Sequence, residues 1–214
     1  MLHEFETRMR IEGSDEIVMA SAFREVANQA ELSAQIDRQM LNNLEEWLTS
    51  HPNDRHELII PLSYQSFDNQ EVMQKIQDLL DQGSLDERRL VLGFHLEEVA
   101  EHLRELQRLT NRFAVRGVRF ALLDAAPDQR IEMILKNVLV QFIKLGGDIT
   151  AALRNDEQGR RALEELAARA ERKDIRIIAP PVEATTDLAT LWQFGITLVQ
   201  GLSLIHISEP TRPY

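Results

Sequence analysis

The chain has 214 residues, a formal net charge of −11 and no cysteine. The acidic balance argues against a nucleic-acid or anionic-membrane surface, although it allows a local basic pocket for a phosphate. The lack of cysteine excludes disulfides and thiolate metal sites and favours a reducing compartment, so we expect a cytoplasmic protein. No apolar run approaches the roughly 20 residues of a membrane span, and no signal peptide is visible.

Short apolar segments alternate with amphipathic segments along the chain. The apolar segments predict strands at 3–10, 57–62, 89–94, 118–122, 140–145, 175–179 and 196–200. Apolar residues at helical spacing predict helices at 21–29, 33–50, 70–83, 97–115, about 128–137, 157–173 and 185–194. Ser33 is a candidate N-cap, and Gly83 is the expected C-cap residue of its helix.

These strand–helix steps predict the fold class. Nearly all-apolar strands are buried on both faces, which is typical of a parallel sheet covered by helices. Short loops without a Gly/Ser linker indicate one domain over residues 1–201. Seven strands in sequence favour an α/β fold of the (β/α)8-barrel type that lacks its first strand and its C-terminal end. A doubly wound open sheet is the alternative, but no G-x-G-x-x-G follows a strand to support a dinucleotide fold.

Both ends of the chain look unnatural. Residues 202–214, LSLIHISEPTRPY, resemble the translated read-through of a transposase adapter used in sequencing libraries. We therefore expect a non-native tail there, and a natural protein that continues past Gly201. The start lies almost inside a strand, which predicts that sequence is missing upstream as well.

Polar and small residues follow the predicted strands, where a barrel places its functional side chains. In chain order they are Glu6 to Arg10, Pro61, Ser63, Gly93, His95, Asp124, Lys144, Pro180, Glu183, Gln200 and Gly201. His95 has no second histidine at ligand spacing, so we interpret it as the start of a helix rather than as a metal ligand.

This series of strand ends resembles the EAL domain, the barrel phosphodiesterase family that hydrolyses the bacterial second messenger cyclic di-GMP. The resemblance spans residues 3–201 and rests on these segments in order: FETRMR for E-A/V-L-L-R, FREVANQAELSAQIDRQMLNNLEEWL for F-I-P-x-A-E-x-x-G-x-x-x-x-I-D-x-W, LIIPLS for the strand ending in N-x-S, RLVLGF for L-x-x-E-I/F-T-E, VRFALLDAA for A-L-D-D-F-G, VQFIKL for V-D-x-I-K-I-D, IIAPPVEA for I-A-E-G-V-E, and VQG for the Q-G near the last strand. It implies a TIM-like (β/α)8 barrel of EAL type.

The resemblance also implies a site that has lost its metal ligands. The family hydrolyses its substrate with two divalent cations, Mg²⁺ or Mn²⁺, held by side-chain oxygens. Four of those oxygen donors are replaced here, by Pro61, Gly93, Leu123 and Pro180. Two further aspartates of the family correspond to Gln141 and Gly146, and Asp124-Ala125-Ala126-Pro127 replaces the flexible D-F-G-x-G loop. We therefore expect no bound metal, no cofactor and no catalytic residue.

Four family positions keep a charged residue as vestiges of catalysis: Glu6, Asp124, Lys144 and Glu183. We expect Lys144 to pair with Asp124 or Glu6, because buried charge needs a partner. Arg10, Glu183 and Gln200 are the candidate ligand-binding residues. Arg10 matches the arginine that reaches a ligand phosphate in the family, a task for which its planar fork is suited. A surface arginine, and a Glu183 that only holds its loop, are the structural alternatives.

Other positions argue against continued binding of the dinucleotide by this domain. Arg8 stands where the family has a leucine near the guanine. Pro180 and Pro181 stiffen a loop that approaches the ligand in the family, since each proline fixes φ and removes an amide donor.

The expected function is that of a catalytically inactive EAL-like domain, a cyclic di-GMP-sensing or protein-docking module in bacterial second-messenger signalling. The expected partners are cyclic di-GMP, a protein partner or an attached GGDEF-like domain. A monomer and a dimer are both compatible with the sequence. The alternative is an active cyclic di-GMP phosphodiesterase that uses Mg²⁺ or Mn²⁺ through rearranged ligands. A third alternative is a fragment that does not fold stably alone, since an open barrel exposes unpaired strand edges.

Overall fold

The computed structural model describes residues 2–10, 17–83, 85–147, 149, 156–182 and 185–200, with only the backbone of Arg10. The chain divides into two compact units. The first comprises residues 1–123 and 130–141, and the second comprises residues 124–129 and 142–214. The predicted tail lies outside the described residues. Within the described ranges, no helix is both long enough and apolar enough to cross a membrane.

The strands are β1 Leu2–Glu4, β2 Arg8–Arg10, β3 Ile17–Met19, β4 Glu57–Leu62, β5 Leu90–His95, β6 Arg119–Ala125, β7 Phe142–Leu145, β8 Arg176–Ala179 and β9 Leu198–Val199. The helices are α1 Ala20–Gln29, α2 Ser33–Ser50, α3 Gln70–Asp81, α4 Leu96–Glu101, α5 Leu103–Ala114, α6 Gln129–Asn137, α7 Glu157–Arg172 and α8 Thr185–Gln193. Two short 3-10 helices occupy Tyr64–Ser66 and Glu87–Arg89.

The first unit is built on a parallel ladder in chain order, β1, β4, β5 and β6. The interior strand β5 is buried from Leu90 to Phe94, as its apolar sequence predicts. Phe94 packs edge-on against Phe67 with ring centroids 5.2 Å apart, and lies 6.2 Å from the Phe120 ring. Since alternate residues point to opposite faces, these aromatic rings fill one face of β5 and leave Gly93 on the other.

The second unit carries the parallel strands β7, β8 and β9. Helix α7 begins at an N-cap aspartate, Asp156, whose side chain accepts a hydrogen bond from the amide of Gln158. It buries an apolar stripe that includes Leu163, Leu166 and Ala170. At the exposed first residue of β8, the Arg176 guanidinium lies 4.5 Å from the centre of the Phe142 ring.

Three elements differ from the sequence-based prediction. The predicted strand 3–10 is broken, and its second half, β2, pairs antiparallel with β3 as a hairpin that the weak alternation did not reveal. The predicted helix 97–115 is interrupted at His102, whose backbone (φ −118°, ψ 34°) is not helical. The prediction of Ser33 as N-cap is wrong: Leu32 takes that place, and the Ser33 hydroxyl donates to Asn28 Oδ1 at 2.6 Å.

A buried carboxylate fixes the loop that leaves the carboxyl end of β4. Asp37 on α2 is 8% exposed, and its Oδ2 accepts hydrogen bonds from the Ser63 amide (2.8 Å), the Ser63 hydroxyl (2.7 Å) and the Ser66 hydroxyl (2.6 Å). Glu98 on α4 holds the next residue, because its Oε2 accepts from the Tyr64 amide at 2.9 Å. The two acids therefore anchor this loop from two different helices.

Burial raises the pKa of Asp37, an effect that the hydrogen bonds from Ser66 and Ser63 oppose and the negative charge of Glu98 reinforces. With the folded pKa above the unfolded value, the carboxyl's contribution to stability is complete below about pH 4 and is lost as the pH rises through the folded pKa.

We expect Asp37→Ala to lower the free energy of unfolding by about 2–4 kcal/mol, because it leaves three buried donors unpaired. Asp37→Asn keeps an acceptor for those donors and cannot ionise. Urea unfolding between about pH 4 and pH 7 checks both points. The stability difference between wild type and Asp37→Asn should shift in favour of the variant as the pH rises, and a pH-independent difference would contradict the assignment.

Candidate functional site

Three of the four positions that the resemblance assigns to lost oxygen donors lie on one face of the first unit's ladder. Pro61 pairs in register with Gly93, and His95 pairs with Leu123. Since Gly93 and His95 are two residues apart, Pro61, Gly93 and Leu123 share a face at the carboxyl ends of their strands. The three positions therefore lie on neighbouring strands at one edge, where they present a ring, a bare backbone and an aliphatic chain.

The Leu123 side chain covers the position that a side chain at residue 93 would occupy. A Cβ placed on Gly93 would lie 2.7 Å from Leu123 Cδ1 and 3.2 Å from Ile59 Cγ2. Leu123 is 1% exposed and Ile59 is 2% exposed. The space between the ends of β5 and β6 is thus filled by apolar atoms in van der Waals contact, and a carboxylate at residue 93 has no room there.

The fourth lost donor, Pro180, belongs to the second unit and directly follows β8, where it is buried. Gln200 follows β9, is half-buried, and donates its backbone amide to the Ala179 carbonyl at 2.9 Å. The backbone of Gln200 therefore extends the ladder between β8 and β9. Glu183 lies outside the described residues, as does the side chain of Arg10, so their assigned roles stay predictions.

Asp124, the survivor of the aspartate pair, is exposed and has a left-handed backbone with φ of 50°. Aspartate tolerates this region better than most residues that carry a Cβ. The next residue, Ala125, accepts a hydrogen bond from the Gly146 amide at 3.1 Å. The end of β6 and the residue after β7 thus meet through backbone atoms.

Two more of the residues predicted to be vestiges of catalysis, Glu6 and Lys144, lie within the described ranges. Glu6 is exposed and pairs with Arg8 at 3.5 Å, a solvated ion pair of small energetic value. Lys144 on β7 is half-buried and pairs in register with Ile178. Its ion pair with Asp124 or Glu6 stays a prediction.

Gln141, which replaces a family aspartate, serves the fold. Its Oε1 accepts a hydrogen bond from the Phe120 amide at 2.8 Å, and its own amide donates to the Phe120 carbonyl at 2.9 Å. The side chain therefore satisfies a backbone donor of β6. The sequence marks this position as a departure from the family, but its structural role depends on a contact 21 residues away along the chain.

The packing of Leu123 against residue 93 predicts a strong energetic coupling between the two positions. Gly93→Ala should destabilise the protein by about 1–3 kcal/mol, since the new methyl overpacks a buried site. In the Leu123→Ala background the same substitution should cost close to nothing or stabilise the strand, because the space has been vacated. A double-mutant cycle from urea unfolding measures this, and an equal cost in both backgrounds would contradict the packing.

The left-handed backbone of Asp124 predicts that glycine is favoured over alanine there. Asp124→Gly and Asp124→Ala both remove the carboxylate, so they differ in the strain of a Cβ at positive φ. We expect the glycine variant to be more stable by about 1 kcal/mol, measured by chemical denaturation. Equal stabilities would indicate that the residue relaxes out of this conformation.

Comparison with known proteins gives one consistent family. The sequence pattern described as "EAL domain" matches residues 2–206. The Xanthomonas citri FimX EAL domain in complex with c-diGMP superposes with a TM-score of 0.80 at 21% identity, covering 96% of this chain and 81% of that chain. The FimX EAL domain of Pseudomonas aeruginosa, bound to c-di-GMP, gives 0.76 at 27% identity over 87% and 75% of the two chains.

A curated relative, "Probable diguanylate cyclase DgcE" of Escherichia coli (strain K12), is 23% identical over 187 residues. These residues make up 87% of this chain but 17% of that protein, so the chain spans a small part of its relative's length. The superpositions show the TIM-like (β/α)8 fold of EAL type and confirm the fold class predicted from the strand ends. Since the family match extends over nearly the whole chain, the protein belongs to the EAL domain family.

Proposed function

We propose that this EAL domain is catalytically inactive and acts in bacterial cyclic di-GMP signalling as a sensor of the dinucleotide or as a protein-docking module. One observation carries the proposal. Leu123 packs over Gly93, at 2.7 Å from a Cβ placed there, so apolar contacts occupy the place of a carboxylate ligand.

The residues at the lost positions do not fit a two-cation centre. Hard divalent cations need carboxylate, amide or carbonyl oxygens, and Pro61, Gly93, Leu123 and Pro180 supply no side-chain oxygen. Leu123 and Gly93 are buried in a packed layer, so a rearranged ligand would first have to displace a leucine from the core. Without a metal pair, the domain has neither an activated water nor a stabilised leaving group.

The sensing role has support from two of the similar solved structures. The two FimX domains were crystallised with cyclic di-GMP, and one of them is 27% identical to this chain. We propose Arg10, Glu183 and Gln200 as the residues that would contact such a ligand. Pro180 and Pro181 act against binding, because neither can donate a backbone hydrogen bond to it. If the missing amide donors of the two prolines outweigh the contacts of Arg10, Glu183 and Gln200, the domain does not bind the dinucleotide, and docking of a protein is the remaining role.

A covalently attached partner is also part of the proposal. The curated relative is named as a diguanylate cyclase, and this chain corresponds to a small part of it. We propose a GGDEF-like domain in the natural protein as the neighbour whose output the EAL domain would modulate.

The decisive experiment is an assay of cyclic di-GMP hydrolysis with added Mg²⁺ or Mn²⁺, followed by chromatography of the nucleotides. We expect no turnover above the protein-free rate, and Glu6→Ala should give the same trace. Turnover that Glu6→Ala abolishes would establish the alternative, an active phosphodiesterase. Calorimetric titration then separates the two inactive roles: heat of binding that Arg10→Ala weakens supports the sensor, and no heat at high micromolar ligand leaves protein docking.

A further inference from the structure

A cluster of potential metal ligands lies at the amino-terminal edge of the first unit's ladder. His3, Asp54 and His56 each offer one ligand atom, and these atoms all lie within 4.8 Å of one another. His3 is on β1, while Asp54 and His56 precede β4. The site is therefore at the opposite ends of the strands from Pro61 and Gly93, because β1, β4 and β5 are parallel.

The contacts within the cluster hold the donors close together. The His3 and His56 rings stack with centroids 4.0 Å apart and planes 21° apart. His56 Nδ1 lies 2.7 Å from Asp54 Oδ2, and the Asp54 carboxylate also accepts the amide hydrogen of His56 at 2.9 Å. An Asp-x-His segment thus holds an oxygen and a nitrogen in direct hydrogen-bond contact, so both lie close to where one metal ion would sit.

Arg89 orients the carboxylate from behind. Its Nη2 contacts Asp54 Oδ1 at 2.8 Å, and its Nε donates to the His56 carbonyl at 2.9 Å. The Asp54 carboxylate is therefore fixed by Arg89 on its Oδ1 side, while Oδ2 lies against His56. Ligating carboxylates in metal sites are held by outer partners in the same way.

We propose that His3, Asp54 and His56 bind a divalent transition-metal ion of the zinc class. Two imidazole nitrogens and one carboxylate oxygen are a donor set that Zn²⁺ accepts, with bonds of about 2.0–2.2 Å and water in the remaining position. Ligand atoms on such an ion lie about 3.3 Å apart, so the ion would replace the hydrogen bond between His56 and Asp54 and draw the three ligand atoms, now within 4.8 Å of one another, to that separation. All three side chains are partly exposed and have solvent on one side for that movement.

Metal binding would join the first strand to the loop before β4. The amino-terminal end of a barrel sheet serves stability rather than chemistry, which assigns the ion a structural role. This site is independent of the proposed signalling function, since it shares no residue with the carboxyl-terminal edge.

The test is a titration of the full chain with ZnCl2. Isothermal calorimetry measures the affinity and the stoichiometry, and thermal unfolding measures the shift in Tm. Wild type should bind about one equivalent, and its Tm should rise by roughly 5–10 °C at a hundredfold excess over Kd. His3→Phe keeps the ring stack on His56 but removes the nitrogen donor. We expect it to weaken zinc binding at least tenfold while its Tm in EDTA stays close to that of wild type.

His51→Phe is the matched control, because His51 also stacks on a neighbouring ring, that of Trp47 at 4.6 Å, and is exposed. It should bind zinc like wild type. Asp54→Asn, which keeps the size of the side chain, should weaken binding as His3→Phe does. The proposal is overturned if wild type shows no zinc-dependent rise in Tm, or if His3→Phe and His51→Phe bind zinc equally.

Discussion

The burial of β5 on both faces is the constraint on which the first unit depends. A strand that lies between two parallel neighbours and is covered on both faces carries apolar side chains or glycine, because any side chain there is buried. One face is filled by Phe94 and its aromatic neighbours, and the other by Leu123 lying over Gly93. A carboxylate on that second face would need a cation to neutralise it, since an unpaired buried charge costs several kcal/mol. Gly93 and Leu123 therefore fill this face together, because the leucine side chain occupies the space that the glycine leaves free.

The acidic residue that stabilises the fold is buried, whereas the acidic residues at the predicted site are exposed. Asp37 is almost fully buried, and its Oδ2 is satisfied by three donors around the loop after β4. Asp124 and Glu6 are exposed, and Glu6 pairs with a solvated arginine. The loop at the carboxyl end of β4 is thus anchored by Asp37 and Glu98, which are not among the positions proposed to have lost metal ligands.

The sequence predicted the strands and most helices because their cues are local. Apolar runs located β4 without error, and the glycine at residue 83 has the positive φ of 69° expected after a helix. The hairpin of β2 and β3 escaped prediction because its pairing is short and joins segments of weak alternation. The ordered motifs predict which family ligands are replaced, and that assignment stays a prediction. The contact of Leu123 with residue 93, the anchoring by Asp37 and the stacking of His3 on His56 required the tertiary structure.

The two ends of the first unit's strands are separated by buried apolar residues of β4. Between His56 and Pro61, residues Leu58, Ile59 and Ile60 are at most 2% exposed. Five residues of strand separate the ends by about 17 Å, so a side chain at one edge does not reach the other. Asp54 is held by its own contacts with His56 and Arg89, whereas Gly93 is packed against Leu123 and Ile59. Because the two sets of contacts share no residue, we expect a substitution at Gly93 to leave the contacts of Asp54 in place, and a metal ion at the amino-terminal edge to leave the packing around Leu123 in place.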